Sequence, residues 1–253
     1  MRQQEADDWF VETVPRPDAD LIIAAFPGVG GGCAAFAQHA RLMPDWLSVA
    51  TLNLPGHQAR FAEPPRTDLD SLTVELAQSC ARRSEPYLLF GYCSGALLAY
   101  CVARLLHEQQ AALPRRLIVG SSWPPHRAQV PPLAGLSSQR LWQVLADYQA
   151  VSPALIEHPE FRELSEPVLR ADFALVGSYR HTAAPPLPIP VTVLVAEQDR
   201  WVTDDDVAPW ADYTSAGLTV RRLPAGHWFM EEEPAASAAA LIEQAAAEQR
   251  QPS

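Results

Sequence analysis

The chain has 253 residues, 48% hydrophobic and 19% charged, enough to bury a full core and short enough to form one domain. Nineteen Lys and Arg against 30 Asp and Glu give a formal charge of -11, which argues against nucleic acid, whose phosphate backbone is bound by clustered positive charge. MRQQEADDWF at the start has no apolar core of signal-peptide length, and no run approaches the roughly 18 apolar residues of a membrane span. Cys33, Cys80, Cys93 and Cys101 are too few for a disulfide framework and form no CxxC pair. The expectation is a soluble, cytoplasmic monomer with reduced thiols and no metal, tightly bound cofactor, membrane or nucleic-acid partner.

Apolar runs of strand length alternate with longer stretches of helical period, the pattern of an α/β fold with a mostly parallel sheet flanked by helices. In chain order, the sequence predicts a strand at 21–26 (LIIAAF), a helix at 34–42, a strand at 47–52 and a helix at 71–83. A strand at 87–90 (YLLF) then runs into a helix at 94–110, followed by a strand at 117–120 (LIVG). After Trp123 the texture changes. Pro124, Pro125, Pro131 and Pro132 open a segment that Pro185, Pro186, Pro188 and Pro190 close, with helices predicted at 138–148, 159–164 and 166–179. An inserted helical lid, able to move over a site as a unit, and an ordinary helical layer both fit this stretch; the lid is the preferred reading. Strands at 191–196 (VTVLVA) and 218–223 and an Ala-rich helix at 235–249 complete the chain. The expected organisation is a single domain over 1–253, with its core at 18–122 and 187–248 and the lid at 123–186.

The strongest chemical signal is FGYCSGALLAY, where a strand passes through Gly91-Tyr92-Cys93-Ser94-Gly95 directly into a helix. Such a turn is a nucleophile elbow: the tip residue is strained, and small residues two positions either side let strand and helix approach. Cys93 would stand at a helix N-terminus, whose dipole favours the thiolate. A cysteine nucleophile needs a base and a group to orient it. Asp199 follows the strand VTVLVA, and His227, in AGHW, follows the last strand, giving nucleophile, acid and base in hydrolase order. Glu197 is the second choice of acid, and Asp204 to Asp206 reads as a solvated helix start. His57 and His126 border the site or lie on surface loops. Backbone donors for the oxyanion are expected from Ser94, directly after the nucleophile, and from Val29 in Phe26-Pro27-Gly28-Val29-Gly30-Gly31-Gly32, with Gly28 as second choice. This loop has neither GxGxxG nor a Lys-Ser/Thr ending, so nucleotide binding is not expected.

Taken together, FPGVGGG, LNLPGHQARFAEPP, the elbow, RADFALVGSYRH, VAEQD and AGHWFM resemble, in order and spacing, the type II thioesterases of nonribosomal-peptide and polyketide assembly lines, which have the α/β-hydrolase fold. The resemblance spans residues 20–244. It implies a triad of Cys93, Asp199 and His227, an oxyanion hole lined by Val29 and Ser94, and Gly28, Tyr92 and Trp228 at the substrate. It also implies acyl, aminoacyl or peptidyl thioesters delivered on the phosphopantetheine of carrier proteins. Such carriers are acidic, so a local basic patch is expected, for which Arg115, Arg116 and Arg127 or Arg162, Arg170 and Arg180 are candidates, unless these are simply solvated charges. The departure is at the elbow, where the family usually carries serine, often as GHSxG, and this chain has GYCSG. An acyl-cysteine is another thioester of nearly equal energy, so transfer to a second thiol or an amine becomes easy. Related assembly-line acyltransferases carry cysteine at the elbow, so carrier-to-carrier transfer or cyclising release stands beside hydrolysis, with a non-catalytic binding protein third.

Overall fold

The computed structural model describes residues 9–128, 133–147, 151 and 158–250. Among these, seven strands form one sheet in the order β1-β3-β2-β4-β5-β6-β7. They are β1 (Phe10–Glu12), β2 (Leu21–Phe26), β3 (Leu47–Leu52), β4 (Tyr87–Tyr92), β5 (Leu117–Gly120), β6 (Val191–Ala196) and β7 (Leu218–Leu223). All neighbours are parallel except β1, which runs antiparallel to β3 with Phe10 opposite Leu52. Strands β2 to β6 are buried along their whole length, as expected where helices cover both faces of a parallel sheet, and this is why they read as unbroken apolar runs.

One face carries α2 (Leu69–Ala81) and α3 (Ser94–Glu108), around a core that includes Leu72, Leu76, Val102 and Leu106. The other carries α1 (Ala37–Leu42) and α8 (Pro234–Gln249), packed through Phe36, Ala40, Leu241 and Ala245. Helix α1 starts three residues later than the sequence predicts. Helix α2 starts earlier, because the Asp68 side chain accepts the Ser71 N–H at 2.7 Å and caps it. Strand β4 continues through Gly91 to Tyr92, so the elbow begins inside the sheet.

The segment between β5 and β6 contains α4 (Ser138–Asp147) and α5 (Pro159–Gly177). These enclose a third, smaller core of Leu133, Leu141, Trp142, Leu145 and Leu169. The two helices predicted at 159–164 and 166–179 are one, running through Pro167. Pro131, Pro132 and Tyr148, used in the reading of this segment, lie outside the described residues. Two short helices complete the fold, α6 (Asp204–Val207) after β6 and α7 (Phe229–Glu232) after β7. The helix start read at Asp204 to Asp206 is present, with Asp204 and Asp205 exposed, but Asp206 is buried, accepts the Thr203 N–H at 2.9 Å and pairs with Arg127 at 2.8 Å. Among the described residues no helix is long and apolar enough to cross a membrane.

The topology places the chemistry. From β2 the chain moves to β3 on one side and then returns to β4 on the other, so the loops leaving the carboxyl ends of β2 and β4 stand side by side. These are the Gly-rich loop and the elbow.

Candidate active site

Cys93 lies between β4 and α3 with φ 54° and ψ -123°, a backbone region that costs of order 1–3 kcal/mol for a residue with a side chain. Its N–H donates to the Gly120 carbonyl of β5 at 2.8 Å, which holds the turn against the sheet. The flanking glycines are required by contact. A Cβ on Gly91 would lie 2.3 Å from Cα of Ala96, and one on Gly95 2.2 Å from the Phe26 carbonyl oxygen. Gly28 is pressed against the nucleophile position in the same way, where a Cβ would lie 3.2 Å from Cβ and 3.7 Å from Sγ of Cys93.

His227 comes from the loop after β7 and interacts with Cys93. Its Nδ1 lies 3.0 Å from Oδ2 of Asp199 in the loop after β6. The Asp199 side chain is fully buried and its other oxygen accepts the Trp201 N–H at 2.8 Å, so it faces the imidazole in a fixed orientation. Burial alone would push the His227 pKa down, but the bond from Asp199 and the interaction with Cys93 outweigh it and raise it to about 10. Burial likewise opposes ionisation of Asp199, and the His227 and Trp201 bonds reverse that, holding its carboxyl below the usual range. The imidazole therefore holds its proton at neutral pH, beside the sulfur. Glu197, the alternative acid, is exposed.

The two expected oxyanion donors meet in an unexpected way. Val29 N–H donates to Oγ of Ser94 at 3.0 Å, so the hydroxyl of Ser94, and not only its backbone, reaches the loop after β2. Trp228 follows the histidine and lies edge to face with its ring, centroids 5.4 Å apart.

Tyr92 departs from expectation. It is 4% exposed, packs edge to face on Phe229 with centroids 5.2 Å apart, and donates its hydroxyl to the backbone carbonyl of His227. Its hydroxyl thus braces the backbone of the base from within the core. His57 is also not a surface residue, being 4% exposed and 3.0 Å from Asp172. His126 is exposed and bonds the Tyr213 hydroxyl at 2.9 Å. Arg116 drops out of any basic patch, since it is buried against Glu248 at 2.6 Å. Arg115 and Arg127 also reach Glu248 and Asp206, Arg170 pairs with Glu166, and Arg162 lies over the Trp142 ring. Arg180 is exposed and, among the described residues, bonds the Gly177 and Tyr179 carbonyls of its own turn. Among the described residues no group of three or more His, Cys, Asp or Glu is arranged to hold a metal ion.

The chain is similar over most of its length to several known proteins. It is 27% identical over 233 residues to the gramicidin S biosynthesis protein GrsT of Aneurinibacillus migulanus, covering 90% of each chain. It is 28% identical to the medium-chain S-acyl fatty acid synthase thioesterase of Homo sapiens, covering 85% of this chain and 82% of that one. Among solved structures it superposes on the RedJ thioesterase of the Streptomyces coelicolor prodiginine pathway with a TM-score of 0.82, at 31% identity and 92% coverage of both chains. The type II thioesterase BorB of the borrelidin cluster gives 0.83 at 27% identity, covering 94% of this chain and 97% of that one. The thioesterase domain model matches residues 21–247, and with its α/β-hydrolase sheet, elbow and histidine the chain belongs to the thioesterase domain family.

Proposed function

We propose that this thioesterase cleaves acyl, aminoacyl or peptidyl thioesters carried on the phosphopantetheine of carrier proteins in nonribosomal-peptide or polyketide biosynthesis, through an S-acyl intermediate on Cys93. The observation that carries this reading is the alignment of Cys93, His227 and Asp199 at a strained elbow, with a histidine that holds its proton at neutral pH. The similarity to GrsT and RedJ supports the biosynthetic setting.

In the proposed cycle Cys93 attacks the thioester carbonyl as the thiolate, its proton resting on His227. The oxyanion takes the N–H of Ser94 and the donor at Val29, and collapse expels the pantetheine thiolate, which takes the His227 proton. Neutral His227 then accepts a proton from water as it attacks the S-acyl carbonyl, the second tetrahedral intermediate collapses with the acid released and the Cys93 thiolate as leaving group, and Asp199 stabilises the imidazolium that re-forms. Helices α4 and α5 act as the lid that admits the phosphopantetheine arm. The protein needs no cofactor of its own, because the arm arrives on the carrier.

Cys93 favours a second reading. An acyl group on sulfur passes to another thiol with almost no change in energy, so transfer to a second carrier or to an amine uses the same three residues. Intact-protein mass spectrometry with an acyl-loaded carrier separates the two. A Cys93 adduct that decays to free acid at one rate, with or without a second unloaded carrier, is expected for hydrolysis. Persistence until an acceptor is added identifies a transferase, and retention of full activity by Cys93→Ala would remove the intermediate altogether.

A further inference from the structure

The loop after β2 presents the Val29 N–H, yet it is anchored less to the sheet than to the inserted segment. The Val29 side chain packs against the small core that α4 and α5 enclose. Gly30, at φ 75°, lies so close to α5 that a Cβ would come within 2.9 Å of Cδ2 of Leu169. Its N–H donates to Oδ2 of Asp172, on α5, at 2.7 Å.

The same oxygen is 3.0 Å from Nε2 of His57, and Nδ1 of His57 is 3.1 Å from the Pro55 carbonyl. Both side chains are buried, 3% exposed for His57 and 8% for Asp172. Burial drives His57 toward its neutral form, but the bond and the charge of Asp172 prevail and its pKa is raised. Its two ring nitrogens face two acceptors, a carboxylate and a carbonyl.

A buried polar pair is expensive to desolvate and an apolar pair would often serve stability as well. What an apolar pair cannot do is accept a backbone N–H. The peptide planes on either side of Val29 share its Cα, so fixing the Gly30 N–H restricts the rotation that aims the Val29 N–H.

We propose that Asp172, oriented by His57, is a positioning residue for thioester cleavage: it holds the 28–30 loop so that the Val29 N–H faces the thioester oxygen, and it makes the oxyanion site depend on the seating of α5. Asp172 and His57 act through the loop and not on the reacting atoms. The proposal rests on the reading of Cys93 as nucleophile, and its test separates nucleophile from oxyanion donor.

Two reactions of the full-length protein provide that separation. Iodoacetamide alkylates the Cys93 sulfur by displacing iodide and develops no carbonyl oxyanion. Octanal adds to the same sulfur, the C–S bond forming as the carbonyl pair moves onto oxygen, and this tetrahedral adduct needs the oxyanion donors. With octanoyl-N-acetylcysteamine as thioester, Asp172→Ala is expected to lower kcat by at least about tenfold, part of the roughly 10²–10³ that loss of one donor costs. Octanal affinity should fall in parallel, with KM and the alkylation rate within about twofold of wild type. Asp172→Asn, which keeps an oxygen for the Gly30 N–H, should recover most of the loss. His57→Ala, which frees the carboxylate to turn, should repeat the selective fall, and provides the test if Asp172→Ala does not fold. Unchanged kcat and octanal affinity in these variants, or alkylation falling as far as turnover, would overturn the proposal, as would an Asp172→Asn no better than alanine. Wild-type protein that neither reacts at Cys93 nor cleaves the thioester would overturn instead the nucleophile reading beneath it.

Discussion

Ser94 brings two groups to one small volume, its N–H at the start of α3 and a hydroxyl that accepts the Val29 N–H at 3.0 Å. An oxyanion donor works about 2.7–3.1 Å from the oxygen it stabilises. The Ser94 hydroxyl oxygen thus occupies the place of Val29's acceptor in the resting protein, and a substrate oxygen has to displace it. Breaking a neutral hydrogen bond of this kind costs about 1 kcal/mol, roughly a fivefold factor in rate. Ser94→Ala is expected to raise kcat/KM on a small thioester several-fold, up to about fivefold. A measured fall would show that the hydroxyl instead donates to the substrate. Chain order alone made Cys93, Asp199 and His227 legible as a group, because each follows a strand whose end the sheet topology fixes. The Val29–Ser94 and His57–Asp172 contacts join residues 65 and 115 positions apart through side chains, and no spacing rule encodes such pairings. The burial of Tyr92 and its bond to the His227 carbonyl were illegible for a related reason: adjacency to the nucleophile says nothing about which face of β4 a side chain takes.

The Asp199–His227 pair ties the loop after β6 to the loop after β7, and its strength depends on pH in a direction that follows from the shifts. The His227 pKa is raised from 6.5 to about 10, so its contribution to stability is complete below 6.5 and disappears as pH rises through about 10. The Asp199 pKa is lowered from 3.8, so its contribution is present above 3.8 and is lost as pH falls through the lowered value. Denaturant melts of wild type and His227→Gln should therefore differ most between about pH 4 and 6.5, with the gap closing as pH passes about 10. A gap that stayed constant to pH 11 would show that the imidazole contributes by packing alone. At this scale the sequence was most legible in β2, β3, β5, β6 and β7, whose ends it marked with turn residues. It was least legible in β1, a three-residue edge strand too short to show a pattern, and in α5. There Pro167 reads as a break because proline removes an N–H and crowds the preceding turn. Leu169 and Asp172, both buried just beyond it, hold the helix on line through tertiary contacts that a local rule does not weigh.

The whole molecule is acidic, with a formal charge of -11, and three of the six arginines considered for a positive landing site, Arg116, Arg127 and Arg170, are paired with carboxylates of the chain itself. An acidic carrier would approach against net repulsion. Exposed Phe61, Phe161 and Leu164, near the groove between the 56–61 loop and α5, leave apolar contact as the main attraction. The KM for a carrier-bound thioester should then fall as salt is raised from about 0.01 to 0.1 M, over which the Debye length shrinks from about 30 to 10 Å. A KM that rises with salt would point to a basic docking patch after all.

The third core has one more consequence. Leu141, Leu145 and Leu169 pack among themselves and onto Val29, separately from the two large clusters that sandwich the sheet. A unit of this size can open on its own while the strands stay paired. On warming, the inserted helices and the Val29 loop packed on them would loosen before the sheet that carries Cys93 and His227 melts, and activity would be lost while the strands are still paired.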